Sequence, residues 1–401
     1  MRVRFLPFVA SVITSGTLFS ACAGGGSSVT QSAGAVPSVA QRGPVAGSTD
    51  RQPHSNLRRT LSEPTCSSSA LGTGAFVGGP GGTGAPNFPN VADGQYSIVG
   101  GGSGNNACDD WAAIAGGFDN AVSGSGATTA YDGFIGGGEY NLVTGVDTDS
   151  AVVAGSANTV SNAESAIVGG YLNTVSSEFG FLGGGKSNTV SGSAAVIGGG
   201  LGNYAEGEYA TVPGGYDNNA AGELSFAAGF KSYARYAGSF VWSDYDSGAT
   251  LLESTGVNQF LARATGGFTL WTNATNTVGA TLAPGSGTWA SASDRNLKTD
   301  VARIDDAAVL DKVAQLPISR WSYKSERGVR HVGPMAQDFY AAFGVGEDDK
   351  HITSIDEDGV ALAAIKALHA ENARLLVRQE KMQRQLERLV DVVSTLRAQR
   401  R

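Results

Sequence analysis

Ile167-Val-Gly-Gly-Tyr-Leu-Asn173, Leu182-Gly-Gly-Gly-Lys-Ser-Asn188 and Ile197-Gly-Gly-Gly-Leu-Gly-Asn203 are three successive copies of one pattern. Outward from them it recurs at Ile98-Val-Gly-Gly, Ile114-Ala-Gly-Gly, Ile135-Gly-Gly-Gly, Val152-Val-Ala-Gly, Val212-Pro-Gly-Gly and Phe226-Ala-Ala-Gly. The anchors step by 16, 21, 17, 15, 15, 15, 15 and 14 residues. A fixed period of this length marks a solenoid, in which each unit is one coil and the aliphatic anchors stack in rows inside. The glycines, and the asparagines that follow them from Asn120 to Asn218, suit a tight turn that needs φ > 0. Stretches such as Ser193-Ala-Ala-Val196 lead into the next anchor, and no unit has room for an amphipathic helix between glycines.

Composition agrees with repetitive β-structure. The 401 residues include 58 glycines, with 41% apolar and 16% charged residues, and no Gly-X-Y period makes the chain collagen. The net charge of −8 is unevenly spread: from Ser293 onward 18 basic residues meet 17 acidic ones, which leaves 10 against 19 before it. Between Gln95 and Ala292 only Lys186, Lys231, Arg235 and Arg263 are basic. Binding to nucleic acid needs clustered cations to replace the counterions of phosphates, so no nucleic-acid partner is expected.

Residues 1–22 read as an export signal, with Arg2 and Arg4 before a largely apolar run from Phe5 to Ile13 and small residues before Cys22. Leu18-Phe-Ser-Ala-Cys22 resembles a bacterial lipoprotein cleavage box, with Phe19 where leucine is usual, and the resemblance implies lipidation of Cys22. An ordinary signal cleaved nearby is the competing reading. Residues 23–94, rich in Gly, Ser, Pro and Thr, cannot bury enough apolar surface to offset the entropy of ordering and read as a disordered tether. Cys66 and Cys108 are too few for a disulfide scaffold and lack metal-ligand spacing; pairing within the chain or between chains both remain open.

The β-roll is expected over residues 95–238. Its units from Tyr96 to Ala237 resemble the head repeats of trimeric autotransporter adhesins, in which three rolls pack side by side. That family's C-terminal membrane barrel has no counterpart here, so membrane attachment is expected from Cys22. Residues 239–292 read as a β-rich neck, with strands at Phe240-Val-Trp242, Gln259-Phe-Leu261 and Gly267-Phe-Thr-Leu-Trp271. Their aromatics are expected in core or inter-chain packing rather than in a sugar platform. At residues 362–396, Ile365, Leu368, Asn372, Leu375, Gln379, Met382, Leu386, Leu389, Val393 and Leu396 alternate steps of three and four, the seam of a coiled coil. Asn372 and Gln379 at seam positions favour a defined register.

Several apparent chemical motifs dissolve in context. Gly180-Phe-Leu-Gly-Gly-Gly-Lys186-Ser187 fits the phosphate-loop pattern, but Asn188-Thr-Val-Ser-Gly follows where that loop needs a helix. His54, His331, His351 and His369 share no ligand spacing, so neither metal nor cofactor is expected. Asp356, Glu357 and Asp358 read as the acidic start of the C-terminal helix. Glu206, Glu208, Asp217 and Glu223 read as a solvated face, since nothing pairs two of them as a glycosidase acid and nucleophile.

Ser293-Asp-Arg-Asn-Leu-Lys298 opens the charge-balanced C-terminal block. With Leu316-Pro-Ile-Ser-Arg-Trp-Ser-Tyr323, Arg330-His-Val-Gly-Pro-Met-Ala-Gln-Asp338 and Asp358-Gly-Val-Ala-Leu-Ala-Ala-Ile-Lys-Ala-Leu368, it resembles the endosialidase-type intramolecular chaperone domain that ends phage tail fibres and tailspikes. Pro334 stands where the resemblance expects a bulky apolar residue. The resemblance implies that residues 293–401 are a self-cleaving assembly chaperone, with Ser293 the nucleophile, Lys298 its general base and cleavage between Ala292 and Ser293. Residues five apart share a face of neither a helix nor a strand, so the chain must turn between them. Read without the family, Ser293 would be a helix N-cap.

The fold expected is therefore mainly β: a glycine-rich β-roll solenoid in a trimer, a β-rich neck, and a small α/β chaperone domain ending in a trimeric coiled coil. The function expected is an exported fibre or adhesin-like surface protein at the outer membrane or cell surface. Its implied partners are two further copies of the chain, a lipid anchor and a cell-surface or glycan receptor. No turnover of an external substrate is expected beyond one self-cleavage. A glycan-degrading tailspike with the same chaperone is the alternative.

Overall fold

The computed structural model describes residues 66, 71–79, 88–123, 132–145, 149–246, 248 and 250–400. They fall in the second of the chain's two units, Cys66–Arg401. The export signal, Cys22, His54 and most of the expected tether lie outside them.

The repeat folds as a solenoid of about nine turns with two parallel sheets, of 13 and 11 strands among the described residues. Most strands are two residues long. A coil passes once through each sheet, so strand Ala166–Ile167 pairs with Phe181–Leu182 in the first and Thr174–Val175 with Thr189–Val190 in the second. One side chain per strand points inward. Val99, Ile114, Ile135, Val152, Ile167, Leu182, Ile197 and Val212 form the buried column of the first sheet, facing Val122, Val143, Val160, Val175 and Val190 of the second. Burying such a side chain stabilises by about 1.5–3 kcal/mol.

Two expected anchors sit one residue off. Val99 pairs with Ile114 and is buried, whereas Ile98 is 46% exposed. Phe226 pairs with Thr211, the outward neighbour of Val212, so Ala227 takes the inward place. Side chains alternate across a strand, and a one-residue slip exchanges core for surface.

The asparagines also differ from expectation. The left-handed residues are the ones before them, such as Leu172, Ser187 and Asp217, together with glycines such as Gly185 at φ 92°. At Gly185 a Cβ would meet the Gly200 carbonyl oxygen at 2.2 Å, so the stacking itself requires glycine. The asparagines form a buried ladder. Asn188 Nδ2 donates to Asn173 Oδ1 at 3.1 Å and to the Gly184 and Gly200 carbonyls at 3.0 Å each. Its Oδ1 accepts from the amide and Nδ2 of Asn203 at 3.0 Å each. The same contacts run from Asn90 through Asn105 to Asn218, and Ser232 closes the series with its amide on Asn218 Oδ1. Every polar atom in this column is satisfied by the next rung, which makes the polar interior compatible with burial.

The two sheets extend beyond residues 95–238 in both directions. Phe76–Val77 pairs with Ile98–Val99 and Val91–Ala92 with Asn106–Ala107, inside the segment read as tether. Phe240–Ser243 and Phe260–Arg263 continue the first sheet and Leu252–Glu253 the second, inside the segment read as neck. Backbone pairing continues there without the glycine signature because Val241 fills the anchor place. At this end Arg263 Nη2 donates to the buried Ser243 Oγ at 2.6 Å, and the Thr265 hydroxyl and amide donate to Asp244 Oδ2. Those donors hold the Asp244 carboxyl below the ordinary aspartate range. At the other end Cys66 and Cys108 form a disulfide within the chain, which settles the pairing left open by sequence.

The remaining neck is a three-stranded antiparallel sheet, Phe268–Trp271, Gly279–Leu282 and Trp289–Ser291. Its Leu270, Trp271 and Trp289 are exposed in the single chain. Three helices follow: α1 (Asp306–Gln315), α2 (Ala336–Phe343) and α3 (Ser354–Gln399), with a two-stranded hairpin between α1 and α2. Helix α3 starts before residue 362 because Thr353 caps it, accepting from the Asp356 amide with Asp356 and Glu357 in the first turn. Helix α1 packs on α3 where Ala363, Ala364 and Ala367 are buried, and Lys366 pairs with Asp306. Beyond that contact Leu375, Met382, Leu386, Leu389, Val393 and Leu396 of the seam are all exposed in the single chain.

Candidate functional site

The junction between the antiparallel sheet and the helical region holds the candidate site. Ala292 extends the last strand, its amide donating to the Gly279 carbonyl at 3.0 Å. Asp294 then caps a single 3-10 turn, Arg295–Leu297, through Oδ1 and the Asn296 amide at 2.9 Å. The Lys298 amide donates back to the Arg295 carbonyl at 3.2 Å and closes the turn. This turn brings residues five apart together: Lys298 Nζ donates to Ser293 Oγ at 2.7 Å. The N-cap is Asp294, not Ser293. The Ser293 hydroxyl is thus free of capping and engaged by an amine.

A hydroxyl next to a lysine amine, on the residue that follows a strand-held carbonyl, is a nucleophile beside a potential general base. Both residues are exposed in the single chain. An exposed amine stays protonated in water, and removal from water favours the neutral form that can accept a proton. The geometry is in place; the burial is not supplied by this chain alone.

The other sequence candidates do not assemble. Lys186 lies over the Tyr171 ring at 5.6 Å, and strand Thr189–Val190, not a helix, follows the phosphate-loop pattern. His331 stacks on Trp321 at 4.7 Å and meets Glu326 at 3.3 Å, while His351 is held by Asp348 at 2.9 Å. Among the described residues no three His, Cys, Asp or Glu side chains gather as metal ligands. Nor is any helix among them long and apolar enough to cross a membrane. The asparagine ladder and the cap at Arg263 and Asp244 were missed by sequence reasoning; the even spacing of the asparagines was the available signal for the first.

Residues 293–344 match the sequence model of a protein family described as the chaperone of endosialidase. The match begins at Ser293 and ends before α3. No curated protein matches the chain.

Proposed function

We propose that this chain is an exported fibre of three copies whose C-terminal part aligns them and then cuts itself off between Ala292 and Ser293. A β-solenoid followed by a chaperone-of-endosialidase segment fits a protein of the tail-fibre or tailspike type. The observation that carries the reading is the 2.7 Å contact of Lys298 Nζ with Ser293 Oγ at the first residue of that segment. Cleavage proceeds as an acyl transfer. The neutral Lys298 amine takes the Ser293 hydroxyl proton while Oγ attacks the Ala292 carbonyl carbon. The C–N bond breaks as its nitrogen gains that proton, which leaves Ala292 esterified to Oγ. One water then hydrolyses the ester to the Ala292 carboxylate and restores the hydroxyl.

The exposed seam of α3 and the exposed Leu270, Trp271 and Trp289 support assembly, because apolar surface of this extent is covered in a soluble protein. We place the coiled coil of three α3 helices over this seam, as the device that sets one register across repeats in which a slip of one rung costs little. Lipid-modified Cys22 would tether the mature fibre to a membrane, with a cell-surface or glycan receptor as its partner. Sedimentation of the processed N-terminal fragment tests the assembly: three copies are expected, and a stable monomer contradicts it.

A further inference from the structure

The two outer faces of the solenoid are chemically unlike. On the first sheet the outward position of each strand carries residues such as Ile98, Phe134, Phe181, Val196, Phe226 and Phe240. Two residues further on stand glycine, alanine, valine, proline or tryptophan, of which Val153, Val168 and Trp242 are exposed. From Phe76 to Trp242 neither position holds a charged residue. At the last rungs Phe226, Phe240 and Phe260 stack at 4.5 and 4.7 Å, and Phe260 remains 74% exposed. The second sheet instead presents Thr159, Thr174 and Thr189 outward, with Ser161, Ser176 and Ser191 beside them. Water suits the hydroxyl face; the apolar one needs a partner.

The edges differ too. The turn from the first sheet to the second carries Lys186 and Lys231, whose contacts within the chain are with the rings of Tyr171 and Phe230. The returning turn carries Glu164, Glu178, Glu208 and Glu223. Glu178 opens the rung whose far turn holds Lys186, and Glu223 opens the rung of Lys231.

We infer that the outer face of the first sheet is where three copies of this chain meet, the Lys186 and Lys231 edge of each lying against the Glu178 and Glu223 edge of the next. This rests on the trimer proposed above. When one face of each copy points at a three-fold axis, each copy's leading edge meets its neighbour's trailing edge. Equal register brings like rungs to one height, so the lysine of a rung meets the glutamate that opens it in the next copy. Complementary charge at the rim then rejects copies shifted by one rung, which a purely apolar face cannot do.

The test uses the full chain carrying Phe181→Cys or, separately, Thr174→Cys, under mild oxidation, with the parent chain as background and sedimentation in parallel. Disulfide-linked pairs of chains are expected for Phe181→Cys and not for Thr174→Cys. Linkage at Thr174→Cys alone in a trimer overturns the face while leaving the trimer standing; a monomer overturns both. In a second arm Lys231→Glu should lower the trimer's melting temperature, and Glu223→Lys added to it should restore it. These residues lie on opposite edges of one chain, so restoration comes from contact between chains. Its absence overturns the edge pairing.

Discussion

Lys298 Nζ and Ser293 Oγ lie 2.7 Å apart because Asp294 caps the single turn between them. The dyad is built by local structure, with no contribution from the solenoid. What the single chain lacks is cover over the amine, and this separates having the residues from being able to use them.

Ser293→Ala and Lys298→Ala should each leave a full-length trimer, with cleavage slowed by roughly 10²–10⁴-fold, the usual worth of a positioned acid–base group. Lys298→Arg should fail as well, since a guanidinium does not give up its proton. The parent chain should cleave faster as pH rises, because only the neutral amine accepts a proton. A time course on denaturing gels reads all of this, and normal cleavage in Ser293→Ala refutes the chemistry.

Asn188→Ala should loosen the solenoid from within. It removes the donor to Asn173 Oδ1 and the acceptor for Asn203, and each buried group left unpaired costs about 1–3 kcal/mol. Hydrogen exchange should accelerate first at the rungs of residues 173 and 203. Unchanged protection there would mean that the ladder contributes nothing.

Breaking α3 with Leu386→Pro removes an intrahelical hydrogen bond at a cost of about 3 kcal/mol or more and kinks the exposed seam. Trimerisation and cleavage should be lost together. Cleavage by a monomer of this variant would uncouple the dyad from assembly.

The Cys66–Cys108 disulfide closes a separation of 42 residues, which in the chain-entropy picture stabilises by about 4 kcal/mol. Reduction should therefore free the first rungs, and limited proteolysis should gain cuts between Cys66 and Asn90 while the rungs from Ile114 onward stay protected. Equal cutting with and without reductant would show that the bridge does not secure this end.

The solenoid was legible because aliphatic and glycine residues recur at a fixed step, and that signal locates a coil without fixing its face. Hence Ile98 and Phe226 were taken for anchors where Val99 and Ala227 are buried. The rungs at Val241 and Leu261 escaped because backbone pairing continues after the glycines stop. Asn188 and its equivalents looked like turn residues because either role places asparagine after glycine, and only the stacked coils distinguish them. The pairing of Ser293 with Lys298 came from resemblance, since their spacing suits neither helix nor strand; the 3-10 turn supplies the physical reason.

Intact-mass measurement on the full chain, expressed with its export signal and purified without protease, tests the central claim most directly. Two products are predicted: one ending at Ala292 that sediments as a trimer, and one beginning at Ser293 that retains α3. A single uncut species, or a cut at another bond, would contradict it.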